Sequence, residues 1–144
     1  REFYNLLFQG VYVYSYLNLQ GVYHNDINST NFLVERTEQL ITYNQLNFFK
    51  KQYFKKYNLY IIDYTTTSIS DIKYPLDAYK FLEFMKRFNI NNKFLCKLQN
   101  ILTYNGKINI FLCNELQKIE IFNIPRKNYR NIVKKVLKLI VSYY

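Results

Sequence analysis

The residues with the clearest chemical potential lie in a polar run at residues 24–31, which reads His-Asn-Asp-Ile-Asn-Ser-Thr-Asn. It contains the only histidine of the chain, His24, and a carboxylate two positions later at Asp26. A carboxylate can accept the proton of an attacking hydroxyl, and the amide oxygen of Asn31 is a ligand type that hard cations prefer. In an asparagine-rich chain, this spacing alone also fits a polar turn without catalytic function.

Two further carboxylates stand at element boundaries, one at the end of an apolar run and the other where a helix is expected to begin. Asp63 directly follows the apolar run at 59–62 and precedes an aromatic residue. Asp77 lies in the sequence Tyr-Pro-Leu-Asp-Ala-Tyr at 74–79. By themselves, spacing and residue type predict only that two carboxylates and one amide lie near the same cleft.

Hydrophobic periodicity predicts the elements that position these residues. A buried amphipathic helix is expected over 3–20, and Gly21 stands where that helix should stop. Its apolar positions recur at helical spacing: Leu6, Leu7, Val11, Tyr14 and Leu17. Residues 22–23 are then a short extended stretch, and the apolar runs 32–34 and 59–62 are consistent with a pair of small strands.

The second half of the chain is predicted to be mainly helical. One helix is expected over 76–88 and a second over 93–102, followed by a turn at the Asn-Gly pair of 105–106. A third helix comes next, although 108–112 fits a strand equally well, and Pro125 fits the first turn of a last helix. The predicted fold is α+β, a single domain of residues 1–144 with a little β structure in front of the helices.

The segment between the two predicted strands, at about 35–58, is basic and aromatic. Its interleaved side chains are Lys50, Lys51, Lys55 and Lys56 beside Phe48, Phe49, Tyr53 and Phe54. Basic residues interleaved with aromatic ones can bind single-stranded nucleic acid. A surface insertion with its aromatic side chains toward the domain and its lysines toward water gives the same pattern, and we favour that interpretation.

Composition limits the classes of protein to which the chain can belong. At 144 residues, 49% of them hydrophobic and 19% aromatic, it fits one folded domain rather than a disordered segment. The formal net charge of +10 is compatible with an anionic partner. Part of the lysine excess fits a general bias toward residues with AT-rich codons, so nucleic-acid binding stays open without being favoured.

Cysteine usage and hydropathy argue against a zinc site and a membrane span. Cys96 and Cys113 form no C-x-x-C pair and lie far from the histidine, which is typical of buried thiols in a reducing, intracellular compartment. No segment approaches about 18 uninterrupted apolar residues, and no signal peptide is visible. The sequence begins at Arg1 as if within a helix, which indicates that the true N-terminus lies upstream.

Taken together, the motifs resemble the large, C-terminal lobe of eukaryotic-type protein kinases. The run at 24–31 has the spacing H-x-D-x-x-x-x-N of the kinase catalytic loop. Asp63 stands where kinases have D-F-G, and Asp77 is placed like an aspartate at the start of the main large-lobe helix. The three motifs occur in the family's order and follow a predicted amphipathic helix.

The sequence Asp-Tyr-Thr at 63–65 makes the chain most similar to the haspin group of kinases. Haspins have D-Y-T at this position, with an insertion of similar length before it and no conventional activation segment after it. The isoleucines at 61–62 and the serine at Ser68 also look like haspin, and the resemblance is specific over about 17–84. A D-Y-T sequence does not rely on glycine flexibility, so Thr65→Gly is expected to be tolerated.

The resemblance implies roles for individual residues. Asp26 would be the catalytic base. Four residues would contact the nucleotide: Asn31, Leu33, Ile62 and Asp63. Of these, Asn31 and Asp63 would hold magnesium, and Leu33 would lie beneath the adenine. His24 and Tyr64 would align the two motifs by packing, and Asp77 would be structural, accepting hydrogen bonds from backbone amides of the catalytic loop.

The function implied by the resemblance is ATP- and Mg²⁺-dependent phosphorylation of serine or threonine in a protein, a histone tail in the nucleus for haspins. The chain has no counterpart of the kinase glycine-rich loop or of the kinase lysine–glutamate pair. We therefore expect a large-lobe fragment that lacks the small lobe and is inactive alone. Asn25 and Asn28 replace an arginine and a lysine of most kinases, and only ten acidic residues are available for a basic substrate. The alternatives are a catalytically dead pseudokinase that serves as an interaction module, and a basic helical nucleic-acid-binding domain.

Overall fold

The computed structural model describes residues 2–42, 52–71, 73–88, 90–104, 108–109 and 126–143. This part of the chain forms four α-helices and three small antiparallel sheets, so the predicted α+β class is confirmed. The elements in chain order are α1 (Glu2–Asn18), β1 (Val22–Tyr23), β2 (Phe32–Thr42), β3 (Gln52–Ile61), β4 (Ser68–Ile69), α2 (Leu76–Met85), α3 (Asn92–Leu102), β5 (Thr103–Tyr104), β6 (Ile108–Asn109) and α4 (Arg126–Val141). None of the described helices has the length and hydropathy that crossing a membrane requires.

The four helices share one apolar core, to which α3 and α4 each contribute one face, whereas α1 and α2 are buried on most of their sides. The buried apolar residues include Leu7, Val11 and Tyr14 of α1, Tyr79 and Leu82 of α2, Phe94 and Leu98 of α3, and Val133, Val136, Leu137 and Ile140 of α4. In α3 and α4 the buried positions follow helical spacing, as expected for helices that bury one stripe. The core therefore fixes α1 against α2, and the loop that joins α1 to the sheets starts from a rigid base.

Glycine is required at two places where backbone segments approach closely. A Cβ atom at Gly10 of α1 would lie 2.1 Å from the ring of Phe81 on α2. Gly21 has a backbone φ of 85°, and a Cβ atom there would lie 2.2 Å from the carbonyl oxygen of Ser70. The chain consequently leaves α1 through a left-handed residue that is in contact with the segment after β4.

The β2–β3 hairpin is longer than the two short strands expected from the sequence. Its antiparallel register runs from Phe32 opposite Ile61 to Thr42 opposite Gln52, with an irregularity between Arg36 and Gln39. Both ends of the segment predicted as an insertion at 35–58 therefore continue the strands. Aromatic residues in the second strand favour extended backbone, which explains the extension.

Gln9 fastens the hairpin to α1. Its side chain is buried and binds two backbone groups of β3: Nε2 donates to the Tyr57 carbonyl at 2.7 Å, and the Leu59 N–H donates to Oε1 at 2.9 Å. The same Nε2 donates to Asn5 Oδ1 at 2.8 Å. One glutamine thus sets the position of β3 relative to the first helix.

Helix positions agree with the sequence prediction to within a few residues at each end. The helix expected over 3–20 is α1, which ends at Asn18, and the one expected over 76–88 is α2, which ends at Met85. After α3, the strand alternative applies at Ile108–Asn109, which pairs with Thr103–Tyr104. The turn at 105–106, a third helix beyond residue 109, Cys113, Pro125 and the aromatic-basic cluster at 48–51 lie outside the described residues.

Candidate active site

Asp77 joins the start of α2 to the polar loop that follows β1. Its carboxylate is buried, and Oδ2 accepts hydrogen bonds from the His24 N–H at 2.7 Å and from Asn18 Nδ2 at 2.9 Å. The Asn25 N–H lies 3.3 Å from Oδ1. The expected contact with the backbone of the loop is present, and these fixed donors compensate the carboxylate for its lost hydration.

Asn18 is part of this junction and was missed by the sequence analysis. It is fully buried in the last turn of α1, where its Nδ2 also donates to the Val22 carbonyl at 3.0 Å. Its Oδ1 accepts the Asp77 N–H at 2.8 Å. One amide side chain therefore connects α1, β1 and α2. The available sequence signal was an asparagine one turn before the glycine that stops a mainly apolar helix.

His24 links the polar loop to the end of β3. It is buried, its Nε2 lies 2.8 Å from the Ile62 carbonyl, and its Nδ1 accepts the Asp26 N–H at 3.2 Å. Since Nδ1 is the acceptor, the proton lies on Nε2 and is donated to Ile62. The ring packs edge-on against Tyr64 at a centroid distance of 4.9 Å. His24 and Tyr64 thus make the packing contact expected of them.

Asp26 and Asn31 are held together across the loop. Asn31 Nδ2 donates to Asp26 Oδ2 and to the Asp26 carbonyl, both at 2.9 Å. Asn28 Nδ2 donates to the other carboxylate oxygen, Oδ1, at 2.6 Å. Asn28 Oδ1 in turn accepts the Thr30 N–H at 2.9 Å and caps the single 3-10 turn at Ser29–Asn31. Asparagine side chains therefore orient the Asp26 carboxylate.

Asp63 emerges beside this loop at the end of β3. The preceding residue, Ile62, donates its N–H to the Asn31 carbonyl at 3.0 Å, which brings the backbone of the two motifs together. Asp63 is exposed and has a backbone φ of 59°, a left-handed conformation that aspartate tolerates better than most residues. Strained backbone of this kind is concentrated at functional sites.

Thr65 orients the Asp63 carboxylate and favours its charged form. The Thr65 hydroxyl donates to Asp63 Oδ1 at 2.6 Å, and the Thr65 N–H lies 3.3 Å from the same oxygen. These two hydrogen bonds, the hydroxyl first, lower the pKa of Asp63 below its usual value. The hydroxyl is an interaction that Thr65→Gly would remove, so the expectation that this position tolerates glycine overlooked a contact.

One face of the hairpin continues the site. Leu33 pairs with Tyr60, so their side chains lie on the same side of the hairpin, and just beyond the ladder the Ile62 N–H bonds to the Asn31 carbonyl. Leu33 is 54% exposed and Tyr60 is 43% exposed. Residues of the opposite side, such as Phe32, pack on the core instead. The exposed side is an open apolar platform next to Asn31 and Asp63.

The side of the hairpin that faces the helices borders an apolar cavity of about 340 Å³. Its walls include Phe3 and Leu6 of α1, Phe84 of α2, Phe88 just after α2, and Val34 and Ser29. A phosphate group requires cationic or N–H donors, so this cavity does not suit a nucleotide.

The oxygen atoms of the site fit magnesium bound together with a phosphate. Both amide hydrogens of Asn31 go to Asp26, so Oδ1 is the atom of Asn31 suited to a cation, and the charged Asp63 carboxylate would be the second ligand. In the described part of the chain, no three His, Cys, Asp or Glu side chains cluster as a metal site. Magnesium commonly takes one or two protein oxygens and completes its coordination with phosphate and water, which agrees with this donor set.

Searches with protein-family models, among curated proteins and among solved structures return no match to this chain. The resemblance to haspin kinases therefore stays a prediction that depends on the residues described above.

Proposed function

We propose that the chain is the large lobe of a haspin-like protein serine/threonine kinase that uses ATP and magnesium. The observation that carries the proposal is the single hydrogen-bonded unit made by three motifs far apart in sequence. His24 bonds both to Asp77 and to the Ile62 carbonyl, while Asp26 is bonded to Asn31. A polar turn of accidental composition has no need for a buried carboxylate under it or for two oriented carboxylates at its edge.

Each residue has a defined task in this proposal. A serine or threonine hydroxyl of the protein substrate donates its proton toward Asp26 as its oxygen attacks the terminal phosphorus of ATP, and ADP leaves. Asn28 and Asn31 keep the Asp26 carboxylate oriented for that contact. Asn31 and Asp63 would hold magnesium, which when bound neutralises charge on the phosphates. Leu33 and Ile62 would support the adenine.

The substrate class and location follow from the haspin resemblance alone. A histone tail is basic, and the chain carries a formal net charge of +10, so recognition would depend on a small number of local carboxylates. Nuclear location belongs to the same proposal. Direct binding of nucleic acid is the less favoured alternative, and the test below separates it from nucleotide binding.

The proposal is tested by titrating ATP into the chain with and without magnesium in a calorimeter. We expect magnesium to tighten ATP binding, and Asp63→Asn to weaken it about 10-fold or more, as is usual when a metal ligand or its support is lost. Asp71→Asn is the matched control, since Asp71 is an exposed aspartate of the segment after β4. Equal ATP affinity with and without magnesium would contradict the proposal.

A nucleic-acid binder would behave differently in the same instrument. Its affinity for a single-stranded oligonucleotide would fall steeply with salt, because binding releases counterions from the phosphates. Asp63→Asn would not weaken that binding, since it removes a negative charge. This outcome would favour the basic binding domain over the kinase.

A further inference from the structure

Asn25 occupies the position after the loop histidine and makes contacts with a segment about 40 residues later. Its Nδ2 lies 2.9 Å from the Thr66 carbonyl, 2.8 Å from Ser68 Oγ and 3.2 Å from the Tyr23 carbonyl. Its backbone φ is 71°, a left-handed value that asparagine tolerates better than most residues. The strained backbone places the amide group between β1 and the segment after Asp63.

Other bonds close the same junction. The Thr66 hydroxyl donates to the His24 carbonyl at 2.9 Å, and the Ser70 N–H donates to the Gly21 carbonyl at 2.8 Å. Tyr23 pairs with Ser68 in the two-stranded sheet of β1 and β4. All of these partners are side chains or backbone groups of the chain itself.

We infer that Asn25 is a positioning residue that fastens the segment at 64–70 to the catalytic loop in the unmodified protein. Most kinases use an arginine here, which pairs with a phosphorylated loop. In this chain the short amide reaches the segment directly. Because Asp63 directly precedes the fastened segment and Thr65 lies within it, Asn25 also restricts the proposed magnesium ligand. That last consequence rests on the proposed kinase function, whereas the fastening itself does not.

Two substitutions test the fastening without adding backbone strain. Asn25→Gly suits the left-handed φ and removes every side-chain contact, and Asn25→Asp keeps the shape but removes the donor hydrogens. Asn131→Asp makes the same chemical change at an exposed position of α4 and is the control. Hydrogen exchange of each variant is followed by NMR on protein that mass spectrometry shows to be free of phosphate.

In the wild type we expect slow exchange at the Ser70 amide. Both Asn25 variants should accelerate exchange at Ser70 by about 10-fold or more, as loss of two ordinary hydrogen bonds implies, while amides of α2 exchange as before. Fast exchange at Ser70 in the unmodified wild type would overturn the inference. So would an Asn25→Asp variant that matches the wild type, or one that accelerates α2 equally.

Binding of ATP with magnesium gives the second measurement. Asn25→Gly should weaken magnesium-dependent ATP binding several-fold and leave magnesium-free binding unchanged. Faster exchange at Ser70 with unaltered magnesium-dependent binding would overturn the link from Asn25 to Asp63. If the wild type shows no magnesium-dependent binding at all, the kinase proposal fails, while the exchange data still decide whether Asn25 fastens the segment.

Discussion

Hydrogen bonds from neighbouring groups restrict the two carboxylates of the proposed chemistry, those of Asp26 and Asp63. Asp26 accepts from two asparagines, and Asp63 accepts from the hydroxyl and N–H of Thr65. A carboxylate that is already oriented loses little freedom when a substrate or a cation arrives. The asparagines of the loop therefore contribute to the site, although their frequency in this chain made them look like compositional bias.

Replacing Thr65 by valine tests the hydrogen bond that holds Asp63. Valine keeps the size of threonine and loses the hydroxyl, so the pKa of Asp63 should rise toward the usual value of 3.8. A pH titration of the Asp63 carboxyl carbon by NMR measures this change. Thr67→Val is the control, since Thr67 is an exposed threonine two positions further along. An unchanged titration midpoint in Thr65→Val would contradict the assignment.

The sign of the accompanying stability change follows from linkage. The pKa of Asp63 is depressed in the folded protein, so the folded state is favoured by deprotonation of this group above its unfolded pKa. That contribution is lost as the pH falls through the lower, folded pKa. Any difference in unfolding free energy between wild type and Thr65→Val that arises from this linkage should be present at neutral pH and shrink in acid.

At the scale of elements, the helices and the order of the motifs were predictable, whereas the contacts between them were not. Periodic apolar residues fixed the helices to within a few positions. The length of the β2–β3 hairpin was missed because polar and apolar residues do not alternate clearly in it. Asn18, Gln9 and Asn25 act through backbone groups of distant segments, and no local pattern of residue types encodes such partners.

The contact between α1 and α2 provides a test at this scale. Gly10→Ala places a Cβ atom 2.1 Å from the Phe81 ring, so the ring must shift within a packed core. Overpacking commonly costs about 1–3 kcal/mol, which outweighs the roughly 1 kcal/mol that alanine gains over glycine in a helix. Urea denaturation should therefore show net destabilisation.

A second substitution at the same contact distinguishes a steric clash from a general effect. Phe81→Leu removes part of the ring, so it should cost less in the Gly10→Ala background than in the wild type. Asn131→Ala, an exposed change on α4, controls for helix propensity. Strictly additive effects of Gly10→Ala and Phe81→Leu would show that the two residues do not press on each other.

For the molecule as a whole, the proposed function assigns one wall of a nucleotide site to the polar loop and the exposed face of the hairpin. The described sheets are two-stranded, and no glycine-rich loop is present in the sequence. Phosphoryl transfer depends on positioning and on neutralising charge from both sides of the nucleotide. Under the proposed kinase function, the helical core, the loop and the hairpin face would form the lower half of the cleft, and phosphate transfer would require a complementary upper half.

We expect the 144-residue chain to transfer no detectable radiolabelled phosphate by itself. A longer protein that adds a small lobe should show magnesium-dependent transfer to serine or threonine. In that protein Asp63→Ala should abolish transfer, and Asp26→Asn should reduce it by about 10²–10⁴-fold, the usual contribution of a general base. A longer protein that carries a small lobe, is inert and binds a partner tightly would instead be a pseudokinase.

The hydrogen bonds from Gln9 to β3 also affect how the chain can pair with other copies of itself. A strand at the border of a sheet normally offers free N–H and C=O groups, which invite a strand from a neighbouring chain and lead to aggregation. Two of these groups, the Tyr57 carbonyl and the Leu59 N–H, are already occupied by Gln9 from the same chain. The glutamine that orients the hairpin therefore also makes these two backbone groups unavailable to a strand from a neighbouring chain.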